Sequence, residues 1–211
     1  MPQRKIKGIV LSRLQIKDHD TLLTVLADDG MKFTVNAAFV LSKRSKISAA
    51  CQLFCYSEFV LKNFTGRERV DEACLVESFF SLANDVEAYV LACYFSELCR
   101  LFSDSDTAQP ELCRLLLNTL YCLCHSGKPH KLIKFCFEVK LLAITGYMIV
   151  ADDGIISYIN KTDSKRIYSV DITDMVLSAN AEFVEQTVCG HVAYVMQTLE
   201  FYKSLSGAVP Q

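Results

Sequence analysis

The chain has 211 residues, of which 51% are hydrophobic and 22% charged, and its net charge is −2 at neutral pH. That apolar content excludes a wholly disordered protein, and no apolar run reaches the ~18 residues of a membrane span. Residues 1–80 hold 12 Lys and Arg against 9 Asp and Glu, whereas residues 81–211 hold 10 against 15. A basic front and an acidic rear favour a phosphate-binding surface in the front part alone.

The first 80 residues have the pattern of short strands. Apolar and β-branched side chains run or alternate over residues 6–11, 21–27, 31–39, 52–61 and 70–78. The sequence Asp28-Asp29-Gly30 supplies a hairpin turn between the second and third segments. Five short strands with hairpin connections predict a small closed barrel, because closure removes exposed strand edges.

The apolar period changes to a helical one near residue 80. Asn84 followed by Glu87 predicts a capped helix over 86–102, Pro110 begins a second helix that ends before Gly127, and a third runs from His130 to Thr145. These three segments predict a helical domain after the barrel.

The last 60 residues have a mixed pattern. Two apolar segments, 148–150 and 155–159, flank Asp152-Asp153-Gly154 and predict a hairpin, with a further strand over 166–170. A final helix is expected over 181–205, capped by Ser178 or Asn180. We therefore expect an irregular β insert at 148–172 inside the helical domain.

Ten cysteines occur, but no two have the spacing of a zinc knuckle or a redox pair, and most lie in apolar segments. They are expected to behave as small hydrophobic residues in a reducing cytosol. Cys122, Cys124, His125 and His130 are close in sequence. Cys122 and Cys124 are two positions apart, however, and such side chains point in different directions on a helix. No glycine-rich phosphate loop occurs. The sequence predicts neither a metal site nor a cofactor, and no enzyme.

Several motifs occur in a recognisable order between residues 5 and 147. They are Lys7-Gly8-Ile9-Val10-Leu11-Ser12-Arg13, Asp20-Thr21-Leu22-Leu23-Thr24, Gln52-Leu53-Phe54-Cys55-Tyr56-Ser57-Glu58-Phe59, Glu77-Ser78-Phe79-Phe80, Tyr94-Phe95-Ser96-Glu97-Leu98 and Phe137-Glu138-Val139-Lys140-Leu141-Leu142. This series resembles the RecO family of bacterial recombination mediators. The resemblance implies an α+β chain with an N-terminal OB-fold β-barrel over 1–80 and an α-helical domain over 81–211. Many members carry a four-cysteine zinc site after the step that matches Gly146-Tyr147, but here only Cys189 lies beyond residue 136, so that site is expected to be lacking.

The resemblance also implies a function without catalysis. It implies a cytoplasmic, nucleoid-associated protein that binds single- and double-stranded DNA and anneals complementary strands. With RecR, such a protein assists RecA loading onto DNA coated by single-stranded DNA-binding protein (SSB). No membrane contact is expected.

Cations and aromatic residues of the barrel are the candidate DNA-binding residues, since OB barrels combine a basic groove with stacking faces. The cations are Arg4, Lys5, Lys7, Arg13, Lys32, Lys43, Arg44, Lys46, Arg67 and Arg69, with Lys17 and Lys62 as further possibilities, and the stacking candidates are Tyr56 and Phe64. Phe33 and Phe59 alternate with polar neighbours and are expected in the core.

The C-terminal tail of SSB is the implied partner of the helical domain. An acidic, apolar tail needs an apolar slot with cations at its rim, which Lys131, Lys134, Phe135 and Lys140 could supply. The segment Ala37-Ala38-Phe39 stands where the family usually has glycine and basic residues. That departure keeps an alternative open, a protein-interaction scaffold for SSB and RecR that binds DNA weakly or not at all.

Overall fold

The computed structural model describes residues 3–16, 18–42, 44–64, 67–147 and 154–207. The chain divides into two compact units. The barrel unit is Met1–Phe80 with Phe102–Cys113, and the helical unit is Ser81–Leu101 with Arg114–Gln211.

Five strands form the barrel unit: β1 (Gln3–Gln15), β2 (Thr21–Ala27), β3 (Lys32–Ala37), β4 (Cys55–Phe64) and β5 (Arg67–Ser78). They close in the order β1-β2-β3-β5-β4. All neighbours are antiparallel except β3 and β5, which are parallel and joined by the pair Asn36 and Arg69. This is the five-stranded barrel of an OB-fold, and the predicted fold is confirmed.

The barrel core is built from side chains that alternate along the strands. Val10, Leu23, Val35 and Phe59 are at most 1% exposed, and the partly buried Phe33 packs against this cluster. The sequence-based expectation that Phe33 and Phe59 belong to the core is therefore confirmed. Alternation also leaves the charged side chains of the same strands outside, which is what makes the barrel surface available for binding.

Residues 102–113 return to the barrel after the first helix. The backbone N–H of Lys32 donates to the carbonyl of Asp104 at 2.8 Å. Gly30, in the β2–β3 turn, has φ of +80°, and a Cβ at this position would lie 1.9 Å from the carbonyl oxygen of Gln109. The positive φ and the contact with Gln109 both exclude a side chain at this position. The turn and residues 102–113 can therefore pack this closely only because residue 30 is glycine.

The helical unit contains most of α1 (Val86–Phe102) and α2 (Pro110–His125), together with α3 (His130–Ile144), as expected. Asp85 caps α1, where the Ala88 N–H donates to its carboxylate at 3.0 Å. The further helices are α4 (Gly154–Lys161), α5 (Asp174–Gly190) and α6 (Gln197–Leu205). Helix α3 is the centre of the unit, because residues 132–139 are all buried and the helix contacts both α4 and α5.

The predicted β insert at 148–172 is wrong over its described part. Residues 155–159 are helical, because Ile156 and Ile159 are both buried, and their spacing of three suits a helix face. Residues 167–169 form one turn of 3-10 helix in which the adjacent Ile167 and Tyr168 are both buried. A short apolar run fits either element by pattern alone. The expected strand at 148–150 lies outside the described residues.

The single final helix is also wrong, since two helices replace it. Helix α5 begins seven residues earlier than expected, after Thr173, whose hydroxyl accepts from the Val176 N–H at 3.5 Å. It ends at Gly190, a poor helix former, and α6 starts only at residue 197. Within the expected helix, Val195 is 66% exposed, whereas the neighbouring Met196 is 3% exposed.

Candidate nucleic-acid interface

Strands β1 and β4 place a row of polar side chains on the outside of the barrel. Lys5 is exposed, and Lys7 lies opposite Glu58, with 3.7 Å between its Nζ and the carboxylate. The same Nζ lies 5.1 Å from the centre of the Tyr56 ring, and the Tyr56 hydroxyl donates to Asp28 at 2.5 Å. Burial, and then the Asp28 carboxylate, raises the pKa of Tyr56. The Tyr56 ring is thus engaged by a cation and its hydroxyl by a carboxylate.

The β4–β5 hairpin and the start of β1 together bring four cations to one end of the barrel. In the strand register, Lys62 lies opposite Arg69, and Phe64 lies opposite Arg67. Lys62 is 2.7 Å from Asp71, and Arg4 is 3.8 Å from Glu68. Carboxylates therefore neutralise part of this cluster. The Phe64 side chain lies outside the described part, so its stacking role stays a prediction.

The segment between β3 and β4, which we call the 38–54 loop, is anchored from inside the barrel. Val40 and Cys51 are fully buried in the core, and the Ser57 hydroxyl donates to the Ala50 carbonyl at 2.8 Å. The half-buried Arg13 guanidinium donates to the side-chain oxygen of Gln52. Arg13, a predicted DNA contact, thus holds the loop backbone in place.

Arg44 and Lys46 are exposed on the 38–54 loop. Neither forms an ion pair within the ranges that the structure describes, and the loop sequence contains three cations and no acidic residue. Lys43, and also Lys17 of the β1–β2 turn, lie outside the described residues. Lys32 is half-buried beside the returning segment 102–113. Of the predicted cations, those of the loop are the ones whose surroundings best suit a polyanion.

One exposed aromatic residue on this loop was not predicted as a contact. Phe39 is 67% exposed and its backbone has φ of +55°. The sequence drew attention to the position only as an apolar residue that stands where a basic one was expected. An aromatic directly after a strand and before a basic run was the signal that could have identified it.

The residues predicted for peptide binding lie mostly inside the helical unit. Lys134 is 6% exposed and its Nζ lies 2.7 Å from Glu138 and 2.8 Å from Glu185. Phe135 is 1% exposed, and the Lys140 ammonium donates to the carbonyls of Asn160 and Thr162 at 2.9 and 2.6 Å. Lys131 alone of the four is exposed.

A network of buried charges surrounds Lys134. The Tyr94 hydroxyl donates to Glu138 at 2.6 Å, and Lys203 reaches Glu185 at 2.5 Å. Burial alone would lower the pKa of Lys134, but the Glu138 and Glu185 carboxylates together raise it. Burial likewise opposes the ionised form of Glu185, yet Lys134 and Lys203 hold its pKa below the ordinary value. Burial raises the pKa of Glu138 even beside Lys134, and these groups border a groove of about 630 Å³ between α3, α5 and α6.

The cysteines and histidines show no reactive arrangement in the described ranges. All ten cysteines are free thiols, and burial raises the pKa of Cys51 to about 12 and that of Cys55 to about 11. The Cys122 thiol donates to the Ser126 hydroxyl at 3.1 Å, and His130 lies 3.3 Å from Glu87. Over those same ranges, no three His, Cys, Asp or Glu side chains are grouped so that they could hold a metal ion.

Among the described helices, none has both the length and the apolar character needed to cross a membrane.

Family models match the chain in two consecutive parts. The model Recombination protein O N terminal matches residues 1–79, and Recombination protein O C terminal matches residues 83–183. The first match coincides with the five strands, and the second spans α1 to the middle of α5.

Curated relatives carry the same family name. A DNA repair protein RecO of Caldicellulosiruptor bescii is 33% identical over 145 residues, which are 69% of this chain and 59% of that protein. A DNA repair protein RecO of Dehalococcoides mccartyi is 31% identical over 143 residues, 68% of this chain and 56% of that protein. One of Clostridium novyi is 27% identical over the same shares of both. The chain thus matches less than two thirds of the length of these relatives.

Proposed function

The chain belongs to the RecO family, and from that membership we propose that it acts in DNA repair and homologous recombination by binding DNA through its barrel. Its relatives are named DNA repair proteins. The observation that carries the proposal is the 38–54 loop, which is anchored in the core and exposes Arg44 and Lys46 without an acidic neighbour in its sequence. Exposed cations without an acidic neighbour attract phosphate and need not first give up an ion pair.

The proposed action needs no bond chemistry. The barrel holds one strand through its phosphates while a complementary strand pairs with it, so annealing follows from charge screening and proximity. RecR and SSB are the proposed partners in RecA loading, with the SSB tail received by the helical unit. Lys131 is the exposed cation for that tail, whereas engaging Lys134 would require displacement of Glu138 or Glu185.

The test is the salt dependence of binding to a single-stranded oligonucleotide. Replacing Lys43, Arg44 and Lys46 by alanine removes up to three phosphate contacts, each of which contributes roughly 0.7 to the slope of log affinity against log salt. We expect weaker binding, a slope lower by about 2 and slower annealing of complementary strands.

A matched control removes the same charge elsewhere. Lys128, Lys161 and Lys165 are exposed on the helical unit, and their replacement by alanine changes net charge equally. We expect this control to keep the wild-type slope. Equal slopes for the loop variant, the control and the wild type would exclude the loop from the site.

A second candidate function is an adaptor that joins SSB and RecR with little DNA binding. Ion pairs on the barrel favour it, because Arg4, Lys7 and Lys62 each lie within 3.8 Å of a carboxylate. Partner binding by a wild-type chain that does not shift an oligonucleotide at low salt would support the adaptor over the mediator.

A further inference from the structure

Phe39 is held with its ring exposed by contacts of its own backbone. Its N–H donates to a carboxylate oxygen of Asp20 at 2.9 Å, and its carbonyl accepts from the Ser42 N–H at 3.0 Å. The next residue, Val40, is fully buried. A positive φ is rare for a bulky side chain and persists only where the surroundings impose it. The fold therefore presents this ring to solvent on a fixed support.

Around Phe39 the structure has exposed apolar side chains, the Asp20 carboxylate at its backbone N–H and, further along the loop, the cations Arg44 and Lys46. Leu41 is 39% exposed, and its N–H donates to the His19 carbonyl, which joins the loop to the β1–β2 turn, where Ile16 is 43% exposed. Arg44 follows within the same series of turns, in which the Ser45 N–H donates to the Ser42 carbonyl. A partner with flat apolar faces and regularly spaced negative charges fits this combination, and unpaired nucleotides have both.

We propose that Phe39 is a stacking platform for a base of single-stranded nucleic acid whose phosphates contact Arg44 and Lys46. This rests on the proposed DNA binding by the barrel and adds to it the discrimination between single strands and duplex. A duplex keeps its bases stacked inside, so it offers phosphates to the loop but no free base to Phe39. The ring thus selects for unpaired strands, while the cations bind both forms.

The first experiment separates the ring from the charges. Phe39→Ala should lower affinity for oligothymidine about tenfold, the order expected for losing one stacked base, and leave its salt slope unchanged. Binding to duplex, and to a strand of the same length made of abasic sites, should stay within twofold of the wild type. Arg44→Ala should instead weaken binding to all three and reduce the slope.

The second experiment uses the absence of tryptophan from the chain. Phe39→Trp creates a single fluorescent ring at the site and keeps an aromatic platform, so binding should be retained and oligothymidine should quench the emission. Phe183→Trp is the matched control, because Phe183 is 50% exposed on helix α5. Its emission should change little.

The outcomes divide cleanly. If the wild type binds oligothymidine but Phe39→Ala binds equally well and Phe39→Trp is not quenched, the stacking proposal is overturned and the loop site stands. If the wild type binds no DNA, both proposals fall. Emission of Phe39→Trp that depends on protein concentration alone, with no response to oligothymidine, would show that a second copy covers the ring.

Discussion

The barrel unit and the helical unit use charged residues in opposite ways. In the barrel, cations such as Arg44 and Lys46 stay at the surface, and the unit is shaped by its apolar core and by close backbone packing. In the helical unit, lysines and carboxylates such as Lys134 and Glu138 are buried side by side and hold α3 against α5. Lysines that look alike in sequence are thus exposed in one region and serve as internal supports in the other.

The strongest test of this difference is Lys134→Ala. It leaves Glu138 buried without its cation, and breaking a buried pair in this way typically costs about 3–5 kcal/mol. We expect a large loss in the free energy of unfolding by urea, with hydrogen exchange faster in α3 than in the barrel strands.

Its control is Lys131→Ala, three residues away on the same helix and exposed. A surface change of this kind should stay within about 0.5 kcal/mol. Similar losses for both variants would contradict the role of a buried support.

The barrel half of the comparison is tested by Gly30→Ala. The new Cβ meets the Gln109 backbone and the residue must keep a positive φ, so we expect destabilisation of about 2 kcal/mol or more, localised to the barrel strands by hydrogen exchange. Gly127→Ala is the control, since Gly127 also has positive φ but its Cβ would meet nothing within 4 Å. It should cost about 1 kcal/mol, and a cost equal to that of Gly30→Ala would show that the contact with Gln109 does not matter.

A smaller effect is expected in the response to acid. The pKa of Glu185 is lower in the folded chain than its ordinary value of 4.5, so its contribution to stability is complete above that value and is lost as the pH falls below it. Glu185→Gln should be less stable at pH 7 and should lose less stability on acidification. Thermal unfolding measured from pH 7 to pH 3 tests this. Glu182→Gln is the control, because Glu182 lies on the same helix and is exposed to solvent. Parallel curves for Glu185→Gln and the wild type would refute the assignment.

The elements with a long and regular pattern were predictable from the sequence. Alternation gave all five strands, and the apolar spacing of 3 or 4 gave α1, α2 and α3. Short apolar runs failed, because 155–159 fits a strand or a helix equally well until its neighbours are known. The helix break after Gly190 also depends on which side chains find a partner to pack against, which a single sequence does not reveal.

The candidate site was predictable in composition more than in geometry. Arg44 and Lys46 were expected to be exposed, and they are. Burial of Lys134 and the engagement of Arg13 by Gln52 depend on partners 51 and 39 residues away in the chain. The exposure of Phe39 was not predicted, because aromatic residues usually enter a core. Its positive φ, which the sequence does not reveal, accompanies this exposure.

The return of residues 102–113 to the barrel bears on how the protein is made. During synthesis the five strands leave the ribosome before residues 102–113, which contact Gly30 and Lys32, have been made. The β2–β3 turn can therefore form these contacts only after α1 and the residues that follow it have emerged. A gene fragment that ends at codon 80 would encode all five strands but would omit residues 102–113, which belong to the same unit. Expression of the barrel on its own therefore requires either residues 102–113 or a designed substitute for them.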